Sequence, residues 1–471
     1  MVNKIKKICC IGAGYVGGPT MAVIADKCPN LEINVVDINK ERIECWNNNN
    51  LENLPIFEKG LSKIIKKCRN KNLFFSTEIE KNISKADMIF ISVNTPTKTS
   101  GIGAGQASDL KWIESCARQI GQHAKGSTIV VEKSTLPVKT AQTIKSILDS
   151  FLISSNDNKS FSILSNPEFL AEGSAIFDLE NPDRILIGGE DLNSIIALKN
   201  IYLNWVNEEK ILTTDLWSSE LSKLIANAFL AQRISSINSI SALCELTQAN
   251  INDVAIAVGM DSRIGKEFLK SGPGFGGSCF KKDISNLIYI SNHYGLYDVA
   301  SYWESVISIN NWQQKRIVRT IVEKMFGTLS SKKIAILGFS FKANTNDTRE
   351  SPAINICKDL LEEGCFLSIY DPKVKEEQIN IDLGIENTSK NSTKTNFGKW
   401  NFCKSILSSV TGADAILILS DWAEFYEMNY GDLIREMRLP SWIFDTRNTV
   451  NKEIAKNFGF KVWKLGDGSS D

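Results

Sequence analysis

The chain has 471 residues, enough for about three domains of ~150 residues. Its 43% hydrophobic and 23% charged residues are ordinary globular usage, which excludes a disordered or collagen-like chain. Lys plus Arg and Asp plus Glu each total 54, so the formal net charge is zero and the whole-chain electrostatic footprint of a nucleic-acid binder is absent.

In chain order, the first element is Ile8 to Ile11. The basic start before it mimics a signal peptide, but Gly12 and Gly14 cut the apolar stretch short, so a buried strand is expected instead. Further strands are predicted at Ile33 to Asp37, Met88 to Val93, Thr128 to Glu132 and Ser162 to Ser165. Each is short, apolar without alternation and bounded by turn residues, the pattern of a strand buried on both faces. Alternation with helical stretches predicts a parallel, doubly wound sheet. From Leu216 to about Glu245 the sequence runs without Gly or Pro, with apolar residues at Leu221, Leu224, Ile225, Ala228 and Phe229. That spacing predicts one helix of ~30 residues, about 45 Å long, which reads as a connector between domains. A second, smaller α/β domain opens at Lys332 to Gly338 and continues with strands at Leu367 to Tyr370, Ala415 to Leu419 and Trp442 to Phe444. The expected domains are residues 1–215, 216–328 and 329–471. Polar stretches at 47–50, 154–160 and 387–396 read as surface loops.

Eleven Cys without a CxxC pair indicate neither a disulfide scaffold, a zinc ribbon nor a redox motif. Two His, His123 and His293, nearly exclude zinc catalysis through His and leave acid–base work to Lys, Asp, Glu or water; no metal is expected. No apolar run approaches the ~18 residues of a membrane helix. The expectation is a soluble protein of a reducing compartment, the cytoplasm.

Five segments carry chemistry. Gly12-Ala13-Gly14-Tyr15-Val16-Gly17 follows a predicted strand and opens a helix. Gly12 permits the tight turn, Gly14 admits a pyrophosphate to the backbone, and Gly17 lets helix and strand pack closely. Asp37 ends the next strand, where a carboxylate binds ribose hydroxyls and repels a 2′-phosphate, so NAD is expected rather than NADP. Gly274-Phe275-Gly276-Gly277-Ser278-Cys279 runs into a helix start, where the dipole and nearby Lys favour a thiolate; Asp283 lies one turn on, on the same face. Lys223 and Asn227 form an i,i+4 pair on the long helix. They are either a solvated face or an ammonium and an amide aimed at a developing oxyanion. Asn166-Pro167-Glu168-Phe169-Leu170-Ala171-Glu172 follows a strand of the first domain, where α/β sheets place ligands. Gly338 to Lys342, with Arg349 beyond, forms the corresponding strand-to-helix turn of the last domain.

Together these segments, with Val93-Asn94-Thr95-Pro96-Thr97 and Glu132-Lys133-Ser134-Thr135, resemble the UDP-glucose 6-dehydrogenase family, its animal-type branch in particular, in order from about residue 5 to residue 465. The resemblance implies two Rossmann-like doubly wound domains joined by a long central helix and a helical dimerisation region. It implies oxidation of the C6 hydroxymethyl of UDP-glucose to a carboxylate with two NAD⁺ through a Cys-bound intermediate. By motif, Cys279 would be the nucleophile, Lys223 and Asn227 would stabilise the oxygen on C6, and Asp283 would position water. Glu168 and Thr135 would support proton transfer. Gly12, Gly14, Tyr15, Val16, Gly17, Asp37, Arg42, Val93, Thr95, Ser134, Thr135, Glu172, Cys279, Lys282 and Arg349 would contact NAD. The sugar nucleotide would be held by Glu168, Phe169, Leu170, Glu172, Lys223, Asn227, Lys270, Phe275, Gly276, Phe341, Lys342 and Arg447, with Arg263 reaching the site of a neighbouring subunit. The assembly implied is a homodimer at least, and a homohexamer in the fuller form. Two settings depart from the pattern: Lys342 is followed by Ala343-Asn344, and Arg447 sits in Asp445-Thr446-Arg447-Asn448. Two other readings remain open, a sibling enzyme acting on GDP-mannose or UDP-N-acetylmannosamine and a catalytically silent nucleotide-binding scaffold.

Overall fold

The computed structural model describes residues 5–134, 140–154, 159–384 and 398–469. The chain divides into two compact units, Met1–Ala226 and Asn227–Asp471.

The first unit is built on eight strands: β1 (Lys7–Ile11), β2 (Glu32–Val36), β3 (Leu73–Ser76), β4 (Met88–Ile91), β5 (Ser127–Glu132), β6 (Ser160–Ser165), β7 (Ile185–Gly189) and β8 (Ile211–Thr214). They lie in the order β3-β2-β1-β4-β5-β6-β7-β8. Along β1, Ile8 and Cys10 enter the core on one face of the sheet while Cys9 and Ile11 enter the core on the other. This two-sided burial is why the strand reads as an unbroken apolar run.

The five strands expected from the sequence are present, and three more join them. The sheet is also not wholly parallel, because β7 runs antiparallel to β6 through Leu164↔Gly189 and Ser165↔Gly188. A Cβ at Gly189 would lie 2.5 Å from a Leu164 methyl, so the close pairing needs glycine there. β3 and β8 end in Ser76 and in Thr213-Thr214, which leaves apolar runs of only three and two residues, and β7 ends in Gly188-Gly189, which reads as a turn.

The long helix spans Leu216–Thr247, 32 residues, and passes from the first unit into the second. The second unit adds helices Ile251–Gly259, Phe280–His293 and Tyr297–Lys324 and a six-stranded sheet. Its strands are β9 (Lys333–Leu337), β10 (Phe366–Tyr370), β11 (Lys399–Phe402), β12 (Ala415–Ile418), β13 (Trp442–Asp445) and β14 (Lys461–Lys464), all parallel. β11 and β14 were not legible in the sequence because polar residues break their short apolar runs, as Lys399-Trp400-Asn401-Phe402 and Lys461-Val462-Trp463-Lys464. The predicted loop at 387–396 lies outside the described residues. Among the described residues no helix is long and apolar enough to cross a membrane.

The order β11-β10-β9-β12-β13-β14 repeats that of the first six strands, and the likeness extends to single bonds. Gly12 N–H donates to the Val36 carbonyl at 2.8 Å, and Gly338 N–H to the Tyr370 carbonyl at 2.8 Å. Ala13 N–H donates to Asp37 Oδ2 at 2.9 Å, and Phe339 N–H to Asp371 Oδ2 at 2.8 Å. The two aspartates then diverge. Asp371 Oδ2 also accepts from Ser340 and from the Trp422 indole, and its Oδ1 accepts from the Lys373 and Val374 amides. Its lone pairs are spent inside the protein, so the second sheet keeps the Rossmann turn without a carboxylate left to read a ribose.

Candidate active site

In the first unit, the loop after β1 is shaped by three glycines. Gly12 has φ +110°, and a Cβ there would lie 2.3 Å from the Ser92 carbonyl oxygen. A Cβ at Gly17 would meet the Gly12 carbonyl oxygen at 2.0 Å, and one at Gly18 would strike the Trp46 ring at 2.3 Å. At Gly14, among the described residues, no atom beyond its chain neighbours lies within 4 Å of that position, so the loop surface is open to a phosphate. Val16 precedes the first residue of helix Gly17–Lys27, and Tyr15 beside it is half-buried. Asp37 follows β2, nearly buried. Its Oδ2 accepts from Ala13 N–H and pairs with Arg42 at 3.1 Å, while Oδ1 accepts from Asn39 N–H. These residues fit NAD: an open glycine turn at a helix start, and a fixed carboxylate at the end of the adjacent strand. Ser134 donates to the Val93 carbonyl at 2.7 Å, which ties the turn after β5 to the turn after β4, where Thr95 is buried. Thr135 lies outside the described residues.

The turn after β6 carries Asn166 and Glu168. Glu168 Oε2 accepts from Leu170 N–H at 2.8 Å, and Oε1 lies 3.4 Å from Lys223 Nζ on the long helix. Lys223 is 4% exposed and Glu168 6%, so the solvated-face reading of Lys223 is excluded. The Phe169 ring is stacked by Arg184 at 3.8 Å, and Lys223 Nζ lies 5.3 Å from its centroid. Glu172 follows, half-buried.

Glu132, which ends β5, faces Glu220 on the long helix. Among the described residues neither Glu132 oxygen meets a donor, while Glu220 Oε1 accepts from Ala141 N–H at 2.8 Å. Burial first, and the Glu220 charge second, hold the Glu132 carboxyl well above the usual range. Two facing carboxyls are satisfied only when one carries a proton and donates it to the other.

In the second unit, Cys279 stands at the N-terminal cap of helix Phe280–His293, partly exposed, with the Ser278 hydroxyl 3.5 Å from its sulfur. Asp283 N–H donates to the Cys279 carbonyl at 2.8 Å, the helical turn the spacing predicts. The Asp283 carboxyl is buried and accepts from Asn227 Nδ2 at 2.6 Å. Lys282 is half-buried beside it.

The glycine loop before Cys279 is held by polar groups that the sequence reading missed. Asn310 accepts from Phe275 N–H at 2.8 Å and donates to the Phe275 carbonyl at 3.2 Å. Asn238 accepts from Gly272 N–H at 2.9 Å, and Gln313 donates to the Gly272 carbonyl at 3.0 Å. All three side chains are buried. The available signal was an amide at i and i+3 on the apolar face of one helix. Gly276 abuts the Glu350 carbonyl, where a Cβ would lie 2.5 Å from the oxygen, and Gly277 N–H donates to the Arg349 carbonyl at 2.8 Å.

Lys270 pairs with Asp421 at 3.0 Å. Arg447 donates to the Leu419 and Phe341 carbonyls at 2.8 and 3.2 Å. Burial works against the Asp421 anion, yet Arg447 and Lys270 hold its carboxyl below the usual range; burial likewise lowers Arg447. The altered setting of Arg447 is thus a built one, because Asp445 caps its amide at 2.9 Å. Lys342 lies 5.5 Å from the Phe341 ring centroid. Two predicted binding arginines lie at the surface: Arg349 forks onto Asp347, and Arg263, with an 87% exposed side chain, forks onto Asp261.

Three family models match in succession: the NAD-binding domain of the UDP-glucose/GDP-mannose dehydrogenase family over residues 6–206, its central domain over 217–312 and its UDP-binding domain over 335–452. The chain is 53% identical to UDP-glucose 6-dehydrogenase 3 of Oryza sativa subsp. japonica, over 98% of this chain and 97% of that protein. It is equally identical, with the same coverage, to UDP-glucose 6-dehydrogenase 1 of Glycine max. Among solved structures, a UDP-glucose dehydrogenase from Pyrobaculum islandicum superposes with a TM-score of 0.82 at 26% identity, covering 99% of this chain and 98% of that one. Three consecutive family models and relatives more than half identical along nearly the whole chain show that this chain belongs to the UDP-glucose/GDP-mannose dehydrogenase family.

Proposed function

We propose that the chain converts UDP-glucose to UDP-glucuronate in two successive oxidations at C6, with Cys279 as the covalent nucleophile. It is an NAD-dependent oxidoreductase that oxidises UDP-glucose. NAD⁺ supplies the hydride acceptor for each oxidation and would be held by Gly12 to Gly17, Asp37, Arg42 and Ser134. Lys223 and Asn227 offer an ammonium and an amide to the oxygen on C6, and Glu168 accepts or returns the proton that Lys223 moves. The Cys279 sulfur adds to the aldehyde carbon to give a thiohemiacetal, whose oxidation leaves a thioester; trapping prevents escape of the aldehyde. Asp283 orients the water that hydrolyses the thioester and frees the thiol. Lys270, Arg447 and the loop around Phe275 hold the sugar nucleotide.

The observation that supports this reading is burial: Lys223, Asn227 and Asp283 are 4%, 6% and 2% exposed. Removing such groups from water is costly, and a silent scaffold would have no use for them. The deciding experiment is the number of NADH formed per UDP-glucose consumed. Two supports the proposal; one reduces it to a simple alcohol dehydrogenase. Parallel saturation with GDP-mannose and UDP-N-acetylmannosamine separates the sibling activities.

A homodimer, and a hexamer built from it, belongs to the same proposal. Phe229, Leu243, Leu246, Ile256 and Met260 expose apolar side chains in the central region. A cytoplasmic location is supported by eleven free cysteines. A three-domain division at 215/216 and 328/329 is supported by the breaks between family models, from 206 to 217 and from 312 to 335.

A further inference from the structure

The backbone of Gly272 is gripped at both ends. Asn238 on the long helix accepts from its N–H at 2.9 Å, and Gln313 on helix Tyr297–Lys324 donates to its carbonyl at 3.0 Å. The glycine also lies against Arg447, where a Cβ would come within 3.1 Å of Nη1. The grip therefore sets the start of the substrate loop beside that guanidinium. One turn on from Gln313, Arg316 divides its donors among three side chains. Nε donates to Gln313 Oε1 at 3.1 Å. Nη1 and Nη2 fork onto the Glu245 carboxylate at 2.9 and 3.2 Å, and Nη2 also reaches the Ser241 hydroxyl at 3.3 Å. Glu245 Oε1 accepts in addition from Gly466 N–H at 2.7 Å. The ion pair is largely withdrawn from water, with side chains 13% and 16% exposed.

Gln313 is fully buried, so bulk solvent cannot stand in for a missing partner. Its amide has two unlike ends, an oxygen that only accepts and an NH2 that only donates. Reversed, it would turn the NH2 toward the guanidinium and the oxygen toward the Gly272 carbonyl, replacing two hydrogen bonds by two repulsions. A guanidinium has no acceptor, so Arg316 permits one orientation only. Joining two helices needs no charge, and apolar packing does it without the cost of desolvating an ion pair. What an apolar side chain cannot supply is a fixed donor. We propose that Arg316 is a positioning residue for sugar-nucleotide binding: it locks the Gln313 amide with Nε2 toward Gly272, and Glu245 balances the charge that it brings into the interior. The lock fixes where the loop from Lys270 to Gly276 lies against Arg447. The inference rests on that loop holding the sugar nucleotide, as proposed above.

The test is a double-mutant cycle between Arg316→Lys, which keeps a cation for Glu245 but loses the guanidinium fork, and Gln313→Ala, which removes the amide. Should Arg316→Lys not fold, Arg316→Met combined with Glu245→Gln, which buries no lone charge, takes its place. UDP-glucose affinity is measured by calorimetry, and KM and kcat by NADH formation. Each single variant should weaken UDP-glucose binding about fivefold, the worth of roughly one hydrogen bond, with kcat and the KM for NAD within about twofold. Because Arg316 acts through Gln313, the combined variant should bind no more weakly than Gln313→Ala alone. Parental UDP-glucose affinity in a folded variant at either position, additive losses in the combined variant, or a fall in kcat with KM unchanged overturns the proposal. Lys270→Ala serves as the control. Parental affinity there removes the role of the loop and this inference with it, whereas lost affinity there beside parental affinity in Arg316→Lys removes this inference alone.

Discussion

Asn227 Nδ2 donates to Asp283 Oδ2 at 2.6 Å, with both side chains almost wholly buried. The bond joins the long helix to the helix that Cys279 caps, so the amide that is to face the C6 oxygen and the carboxylate that is to orient water constrain one another. Asn227→Ala removes the donor at that carboxylate oxygen. We expect a loss of about 1–3 kcal/mol in unfolding free energy, together with a fall in kcat. Denaturant unfolding and steady-state NADH production check the two halves.

Cys279→Ser tests the covalent route. A hydroxyl at the same cap cannot carry the aldehyde as a thiohemiacetal, so steady-state NADH production should fall roughly 10³-fold. UDP-glucose affinity by calorimetry should stay within a fewfold of the parent. Full turnover in this variant contradicts the thioester mechanism.

Asp37 bears on cofactor choice. With Arg42 3.1 Å away, Asp37→Asn would remove the anion that repels a 2′-phosphate and leave a cation to receive it. The ratio of kcat/KM for NAD over NADP should drop about tenfold, ~1.4 kcal/mol. An unchanged ratio shows that Asp37 does not read the ribose.

Glu132 gives a pH dependence of stability with a defined sign. Its folded carboxyl titrates well above the ordinary carboxyl value of about 4.5, because burial and Glu220 oppose its ionisation. Between 4.5 and that raised value the folded chain holds a proton that the unfolded chain has lost. The contribution of this group is therefore full below pH 4.5 and is lost as pH rises through the folded value, by about 1.4 kcal/mol per pH unit. Glu132→Gln keeps a neutral donor toward Glu220 and removes the slope. Its unfolding free energy relative to the parent should rise as pH climbs above the usual carboxylate range.

Asn310 never touches the reacting centre in this scheme, yet it holds both the N–H and the carbonyl of Phe275. Asn310→Ala leaves a backbone donor and acceptor of the substrate loop unmatched. The KM for UDP-glucose should rise about tenfold while that for NAD holds, since one or two hydrogen bonds of ~1 kcal/mol each are at stake.

Linear order was enough for the parts of this protein whose chemistry is local. The glycine turn at Gly12, the carboxylate of Asp37 at a strand end, the 32-residue helix and the Cys279–Asp283 turn each follow from spacing along a single element. Period, chirality and backbone sterics act within a few residues, and they are written in the order of side chains. Tertiary structure alone decided what crosses between elements: the antiparallel β7 beside Leu164, the Glu132–Glu220 pair, the hold of Asn238, Asn310 and Gln313 on the glycine loop, and the saturation of Asp371 by Ser340 and Trp422. A carboxylate reads alike in sequence whether its lone pairs will face a ligand or a buried indole. Only packing sets the partners and the loss of water, and those two determine what the group can do.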